Sequence, residues 1–225
     1  MSDGPPARGP GFDSAVATGK GDDGTTGLLY GGERIAKDDL RTEAYGTIDE
    51  AVTALGLARA ELLLKDQYGV VPPGLAGLAE LTLRIQRELF VVAAELATNP
   101  AAWDRLEDDR TRVSAAMVTG IDGLLRDVEA HIEMPTEFVV PGETRTSAAF
   151  ELARTVLRRA ERRAVALDRA ELVPGPHLLP YLNRLADLLW VLARAAEQAE
   201  SRRATPSRPG RRRKSGARTE EQQDR

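Results

Sequence analysis

The sequence predicts an all-α protein: an up-and-down five-helix bundle entered through a glycine-rich N-terminal loop. Three observations predict it. Alanine, the strongest helix former, supplies 33 of 225 residues, while only 4% are aromatic. Apolar residues recur at steps of three and four in five separate stretches, the period of a helix face. Clusters of proline and glycine fall between those stretches and punctuate the chain.

Residues 1–16 are rich in Gly, Pro and Ala without periodicity, and read as a disordered leader. Residues 17–32, ATGKGDDGTTGLLYGG, are dense in glycine. Such a loop lets backbone N–H groups converge on an anion, and the hydroxyls of Thr18, Thr25 and Thr26 add donors. A flexible entry loop is the other reading of the same composition. A Walker A loop is excluded, because Lys20 is followed by Gly21 and not by Ser or Thr.

From Arg41, the residues Ala44, Ile48, Ala51, Val52, Leu55, Ala58 and Leu62 outline a first helix of about 25 residues. Pro72, Pro73 and Gly74 break the chain, and a second helix is expected over 75–97, ended by Asn99 and Pro100. Residues 101–112 are polar and read as a connection. A third helix is expected over 113–133, stopping before Pro135. EFVVPGE, residues 137–143, reads as an extended loop into a fourth helix over 144–170. Pro174, Gly175 and Pro176 close that helix, and a fifth over 177–202 carries a wide apolar face that includes Trp190 as expected core. The bundle domain is placed at 17–200, and 201–225 reads as a basic disordered tail.

Charge and composition narrow the function. The net charge of -4 divides into +6 on residues 201–225 (nine Arg/Lys, three Asp/Glu) and -10 on residues 1–200. The absence of cysteine excludes disulfides, thiolate metal sites and a cysteine nucleophile. His131 and His177 stand far apart in sequence, so no metal ligands are assigned among the side chains. No apolar run approaches the roughly 20 residues needed to span a membrane. The start, Met-Ser-Asp-Gly-Pro-Pro, lacks an apolar signal core, and a cytoplasmic protein is expected.

The fourth helix carries the densest chemistry. Arg154, Arg158, Glu161 and Arg162 share one helical face, with Arg159 and Arg163 about 100° further round. Clustered arginines need an anion or carboxylates to offset their repulsion, and salt bridges to neighbouring helices are the competing explanation. Asp49 stands beside the apolar stripe of the first helix, where an arginine of the fourth helix is its natural partner and an ordinary surface acid the alternative. Asn183 is a mid-helix amide that must find hydrogen bonds. Phe138 lies just before Pro141-Gly142, outside any expected helix.

Four segments taken together resemble the cob(I)alamin adenosyltransferases of the propanediol-utilisation type. They are TGKGDDGTTGLLYGGERIAKDDLRTEAYGTIDE (Thr18 to Glu50), IQRELF (Ile85 to Phe90), FVVPGETRTSAAFELARTVLRRAERRAVAL (Phe138 to Leu167) and LPYLNRLADLLWVLAR (Leu179 to Arg194). The resemblance implies a homotrimer with active sites between subunits. It implies transfer of the 5'-deoxyadenosyl group of ATP to cob(I)alamin, giving adenosylcobalamin and triphosphate, with Mg2+ held through ATP. It implies that Thr18, Gly19, Lys20, Gly21, Asp22, Asp23, Gly24, Thr25, Thr26 and Gly27 wrap the polyphosphate, with Lys37 adding charge. Arg158, Arg159 and Arg162 would meet the phosphates, Arg158 foremost. Glu161 would orient an arginine or the magnesium shell, and Asn183 would bond the nucleotide. Asp49 would pair with Arg154 across the subunit interface. Phe138 would help displace the lower ligand of cobalamin, giving a four-coordinate cob(II)alamin that is easier to reduce.

The same resemblance implies a flavin-type reductase and an adenosylcobalamin-dependent mutase as partners. No membrane partner is expected, for want of a long apolar run, and a basic tail without aromatic residues for base stacking argues against nucleic acid. The chain departs from the family pattern at Gly19, Val52, Glu143, Ala195 and Glu197. Two other readings stand beside the enzyme. One is a carrier that delivers adenosylcobalamin with little turnover, which the departures after Arg194 motivate. The other is a helical interaction module with a basic tail.

Overall fold

The computed structural model describes residues 19–208. The leader, Thr18 and the tail beyond Arg208 lie outside the described residues. Five long helices carry the fold: α1 (Leu40–Gln67), α2 (Leu78–Ala97), α3 (Ala115–Glu129), α4 (Arg145–Arg169) and α5 (Leu178–Ala199). Local chemistry sets several of their starts. The Asp39 carboxylate accepts from the Arg41 N–H at α1, and the Ser114 hydroxyl accepts from the Met117 N–H at α3. Thr144 and Ser147 form a reciprocal capping box at α4. Each cap satisfies backbone donors that the first helical turn leaves without partners.

The expected boundaries hold for α4 and shift elsewhere. The third helix ends at Glu129, short of the expected 133. The Gln198 side chain there donates to the Glu133 carbonyl at 2.6 Å and accepts from its N–H at 2.8 Å, drawing the chain off the helix axis. The fifth helix ends at Ala199, and Ser201 turns the chain in a left-handed conformation at φ 56°. The connection 101–112 contains a 3-10 turn over Pro100–Arg105.

Helix packing runs α2–α1–α4–α5–α3. Alanines make the central α1–α4 contact close. Ala44, Ala51 and Ala58 on one side and Ala153, Ala160 and Ala164 on the other are all buried. Ile48, Leu55, Ile85, Phe150, Leu157 and Leu189 fill the spaces around them. At about 25 cal/mol per Å2, burial of such side chains is the main term holding the bundle together. Trp190 corrects the expectation of a core residue: it is half-buried, with the Arg194 guanidinium 5.4 Å from its ring centre.

Three cross-helix pairs show that α1 and α4 run antiparallel: Glu43 with Arg163 at 2.7 Å, Glu50 with Arg159, and Glu61 with Arg145 at 3.8 Å. Two short antiparallel strand pairs flank the bundle. β1 (Thr25–Thr26) pairs with β2 (Ile35–Ala36), just before α1. β3 (Val139–Val140), just before α4, pairs with β4 (Thr205–Pro206), beyond α5. Beyond α5 the described chain continues alongside β3 to Ser207. Among the described residues, no helix is long and apolar enough to cross a membrane.

Candidate active site

The glycine segment folds as two successive turns that lead into β1. Asp22 N–H donates to the Gly19 carbonyl at 3.3 Å, and Gly24 N–H to the Gly21 carbonyl at 3.2 Å. Gly19 and Gly24 occupy left-handed backbone, φ 67° and 77°, which glycine enters without steric cost. Gly21 leaves room for the Lys37 side chain to lie close. A Cβ there would stand 2.9 Å from Lys37 Nζ and 3.1 Å from the Thr25 carbonyl. The Lys37 ammonium thus lies directly over the loop, and the Lys37 backbone N–H donates to the Gly24 carbonyl at 2.9 Å. Asp23 accepts from the Thr25 hydroxyl and N–H, and these bonds hold its carboxyl below the usual value. Lys20, Asp22 and Gly27 are exposed along the same loop, and Thr26 is half-buried in β1.

One organiser of this loop escaped the sequence reading. Arg34 donates through Nε to the Thr25 hydroxyl at 2.7 Å. Its Nη2 donates to the carbonyls of Lys20 at 2.7 Å and Thr25 at 2.9 Å. One planar guanidinium thereby ties both ends of the loop together, a geometry lysine could not reproduce. Its signal in the sequence was proximity alone: an arginine a few residues beyond a glycine-rich run.

On α4 the arginines divide into two groups. Arg159 and Arg163 are taken up by Glu50 and Glu43 of α1, the salt-bridge reading of the cluster. Arg158 and Arg162 are exposed and, among the described residues, pair with no carboxylate. Arg162 Nη1 donates to the Arg158 carbonyl at 3.0 Å. Beside them Asn183 of α5 donates to Glu161 Oε1 at 3.3 Å, so the predicted amide and acid meet across the α4–α5 seam. Two unneutralised guanidiniums next to an oriented amide make a surface suited to a polyanion.

Asp49 is exposed and, among the described residues, forms no ion pair within the chain. Arg154 is instead held by Glu151 at 2.7 Å. Glu151 also lies 3.3 Å from Arg194, which pairs with Glu197 at 2.8 Å. Arg194 and Glu197 are both 1% exposed. Burial pushes the Glu197 carboxyl above its ordinary value, and the Arg194 charge pulls against that shift. Glu197 and Ala195, departures from the family pattern, are thus absorbed into the packing of α5. Val52 is buried too, and its carbonyl accepts from the Gln86 amide at 3.0 Å. The Glu151–Arg194–Glu197 network was missed because helical spacing does not show which acids of one helix face which bases of another.

Phe138 is 88% exposed and lies in the loop between α3 and α4. That loop sits at the end of the bundle where α4 begins and α5 ends, while the glycine loop sits where α1 begins and α4 ends. The stretch from Arg145 to Arg163 alone measures about 27 Å at 1.5 Å per residue. A single chain therefore does not bring Phe138 to its own glycine loop, and Asp49 and Arg154 form no ion pair with each other within it.

Several known proteins are similar to this chain. Residues 16–196 match the family described as cobalamin adenosyltransferase. A corrinoid adenosyltransferase of Citrobacter freundii is 36% identical over 182 residues, covering 81% of this chain and 94% of that one. One from Bacillus subtilis is 39% identical over 178 residues, covering 79% and 83%. Among solved structures, a variant PduO-type ATP:corrinoid adenosyltransferase from Lactobacillus reuteri complexed with cobalamin and ATP superposes with a TM-score of 0.73. It is 25% identical, over 86% of this chain and 99% of that chain.

Proposed function

The chain belongs to the cobalamin adenosyltransferase family, and from that premise we infer that it transfers the 5'-deoxyadenosyl group of ATP to cob(I)alamin. The products are adenosylcobalamin and triphosphate. The observation that carries this reading is that one continuous match, residues 16–196, contains every side chain assigned to the site.

The chemistry asks little of a protein base. Cob(I)alamin is a strong nucleophile, so the protein must align the ribose C5' with cobalt and stabilise the departing triphosphate. The loop 19–27, braced by Arg34 and overlain by Lys37, suits the polyphosphate through N–H groups and one ammonium. Arg158 and Arg162, exposed and without a carboxylate partner among the described residues, meet the leaving phosphates. Asn183, oriented by Glu161, bonds the nucleotide. Arg159 is assigned a supporting part, since Glu50 already holds it. Magnesium travels with ATP and offsets the triphosphate charge, and no protein ligand is assigned to it.

A homotrimer with sites between subunits accounts for the separation of the two halves of the site. In that arrangement the glycine loop and Asp49 of one copy face Arg154, Arg158 and Phe138 of the next. Glu151 then presents Arg154 to the Asp49 of a neighbouring copy. Phe138 excludes the lower ligand from cobalt, leaving a four-coordinate cob(II)alamin for a flavin-type reductase. The product passes to an adenosylcobalamin-dependent enzyme in the cytoplasm.

The test is an anaerobic assay with ATP, Mg2+ and chemically reduced cobalamin, followed by its visible spectrum. Conversion to the adenosyl form is expected. A spectrum that stays unconverted overturns the assignment.

A further inference from the structure

Beyond the family match, the chain does not leave the bundle. The match ends at residue 196, yet residues 202–207 return to the loop that carries Phe138. Val139 faces Pro206 and Val140 faces Thr205 in an antiparallel register. One residue further, the Ser207 N–H donates to the Phe138 carbonyl at 2.7 Å. The Thr205 hydroxyl donates to Glu143 Oε1 at 2.5 Å, and the Arg202 guanidinium lies 3.6 Å from Glu143 Oε2. At the other end of the same loop, Gln198 clamps the Glu133 main chain through two hydrogen bonds.

These contacts matter because of what Phe138 lacks. Its ring is 88% exposed, so side-chain packing does not define its place. Between the end of α3 and the start of α4 the chain has no helix, and the only strand there is β3. The backbone from Phe138 to Val140 is therefore set by the pairing with β4 and Ser207. A cavity of about 640 Å3 lies between the two segments, walled by Met134, Pro135 and Val139 on one side and Arg202, Arg203 and Pro206 on the other.

We propose that residues 202–207 form a positioning strap which sets where the Phe138 ring meets the corrinoid. Thr205 and Ser207 are its positioning residues, and Phe138 is the residue that touches substrate. The proposal rests on the reading that Phe138 displaces the lower ligand of cobalamin. It assigns a role to the start of a segment that composition alone marked as a loose tail.

The test uses the full chain with ATP and cob(II)alamin, and reads the equilibrium between five- and four-coordinate cobalt by absorbance and electron paramagnetic resonance. Ser207→Pro removes the N–H that meets the Phe138 carbonyl, and Thr205→Val removes the hydroxyl that meets Glu143. Each is expected to lower the four-coordinate equilibrium constant about fivefold, the worth of one hydrogen bond. Thr205→Ser is expected to restore it. ATP affinity, melting midpoint and adenosylation of pre-reduced cob(I)alamin should stay at the parent values.

Phe138→Ala is run alongside. If it abolishes the four-coordinate form while Ser207→Pro and Thr205→Val leave it intact, the strap is overturned and the reading of Phe138 survives. If Phe138→Ala changes nothing, that reading fails and the strap fails with it. A loss of ATP affinity or melting midpoint in the strap variants would mark a general packing defect and also overturn the proposal.

Discussion

Asn183 Nδ2 lies 3.3 Å from Glu161 Oε1, joining α5 to α4 one helical turn from Arg158. This contact orients the amide beside the arginine face of α4. Arg158 is exposed and, among the described residues, has no carboxylate partner. Arg158→Ala should lower kcat by about 10²–10³-fold, the usual cost of removing a preorganised donor to developing negative charge. Circular dichroism should show an unchanged helix content. Near-parent turnover would mean that the phosphates bind elsewhere.

Arg34→Ala tests the brace on the glycine loop. It removes three hydrogen bonds, to the Thr25 hydroxyl and to the carbonyls of Lys20 and Thr25. The loop is exposed and contributes little to the core, so the melting midpoint should barely move. The Kd for ATP should rise about tenfold, as expected when one or two net hydrogen bonds no longer preorganise the loop. Equal ATP affinity by calorimetry would show that the brace is irrelevant to binding.

Glu95 predicts a pH dependence of stability. It is 1% exposed, and its Oε2 accepts from the Val113 N–H at 2.7 Å. Burial raises its pKa from 4.5 to about 7, against the opposing pull of that N–H and of Arg112. Below pH 4.5 the carboxyl is protonated in both folded and unfolded chains, and its contribution is fully present. As pH rises to about 7 the unfolded chain ionises first, and about 3 kcal/mol of stability is lost from this group. Urea unfolding across that range should show the decline, and Glu95→Gln should flatten it. An identical slope in the variant would remove Glu95 as the cause.

The buried and exposed ion pairs should respond very differently. Glu151→Ala leaves Arg194, 1% exposed, with Glu197 alone and releases Arg154. A cost of about 3–5 kcal/mol is expected, because an under-compensated charge stays buried. Arg163→Ala breaks a pair with Glu43 whose side chains remain partly in water, and should cost less than about 1 kcal/mol. Comparable denaturation midpoints for the two variants would contradict this ordering.

The five helices and their approximate extents are legible in the amino-acid pattern. Period and punctuation are local properties: Ala44 to Leu62 mark one face of α1 wherever that helix packs, and Thr144 caps α4 through residues three positions away. Tertiary structure alone decided which arginines are free. Arg158 and Arg159 are neighbours of identical chemistry, yet Arg159 faces Glu50 and Arg158 faces solvent, because α1 lies along one side of α4. It also decided that Ser207 meets Phe138, residues far apart in the chain. Composition describes residues 201–208 as charged and low in apolar content, which says nothing about an edge of two residues waiting to be paired. Pairing across such separations depends on where the ends of α4 and α5 come to rest, and no local pattern encodes that.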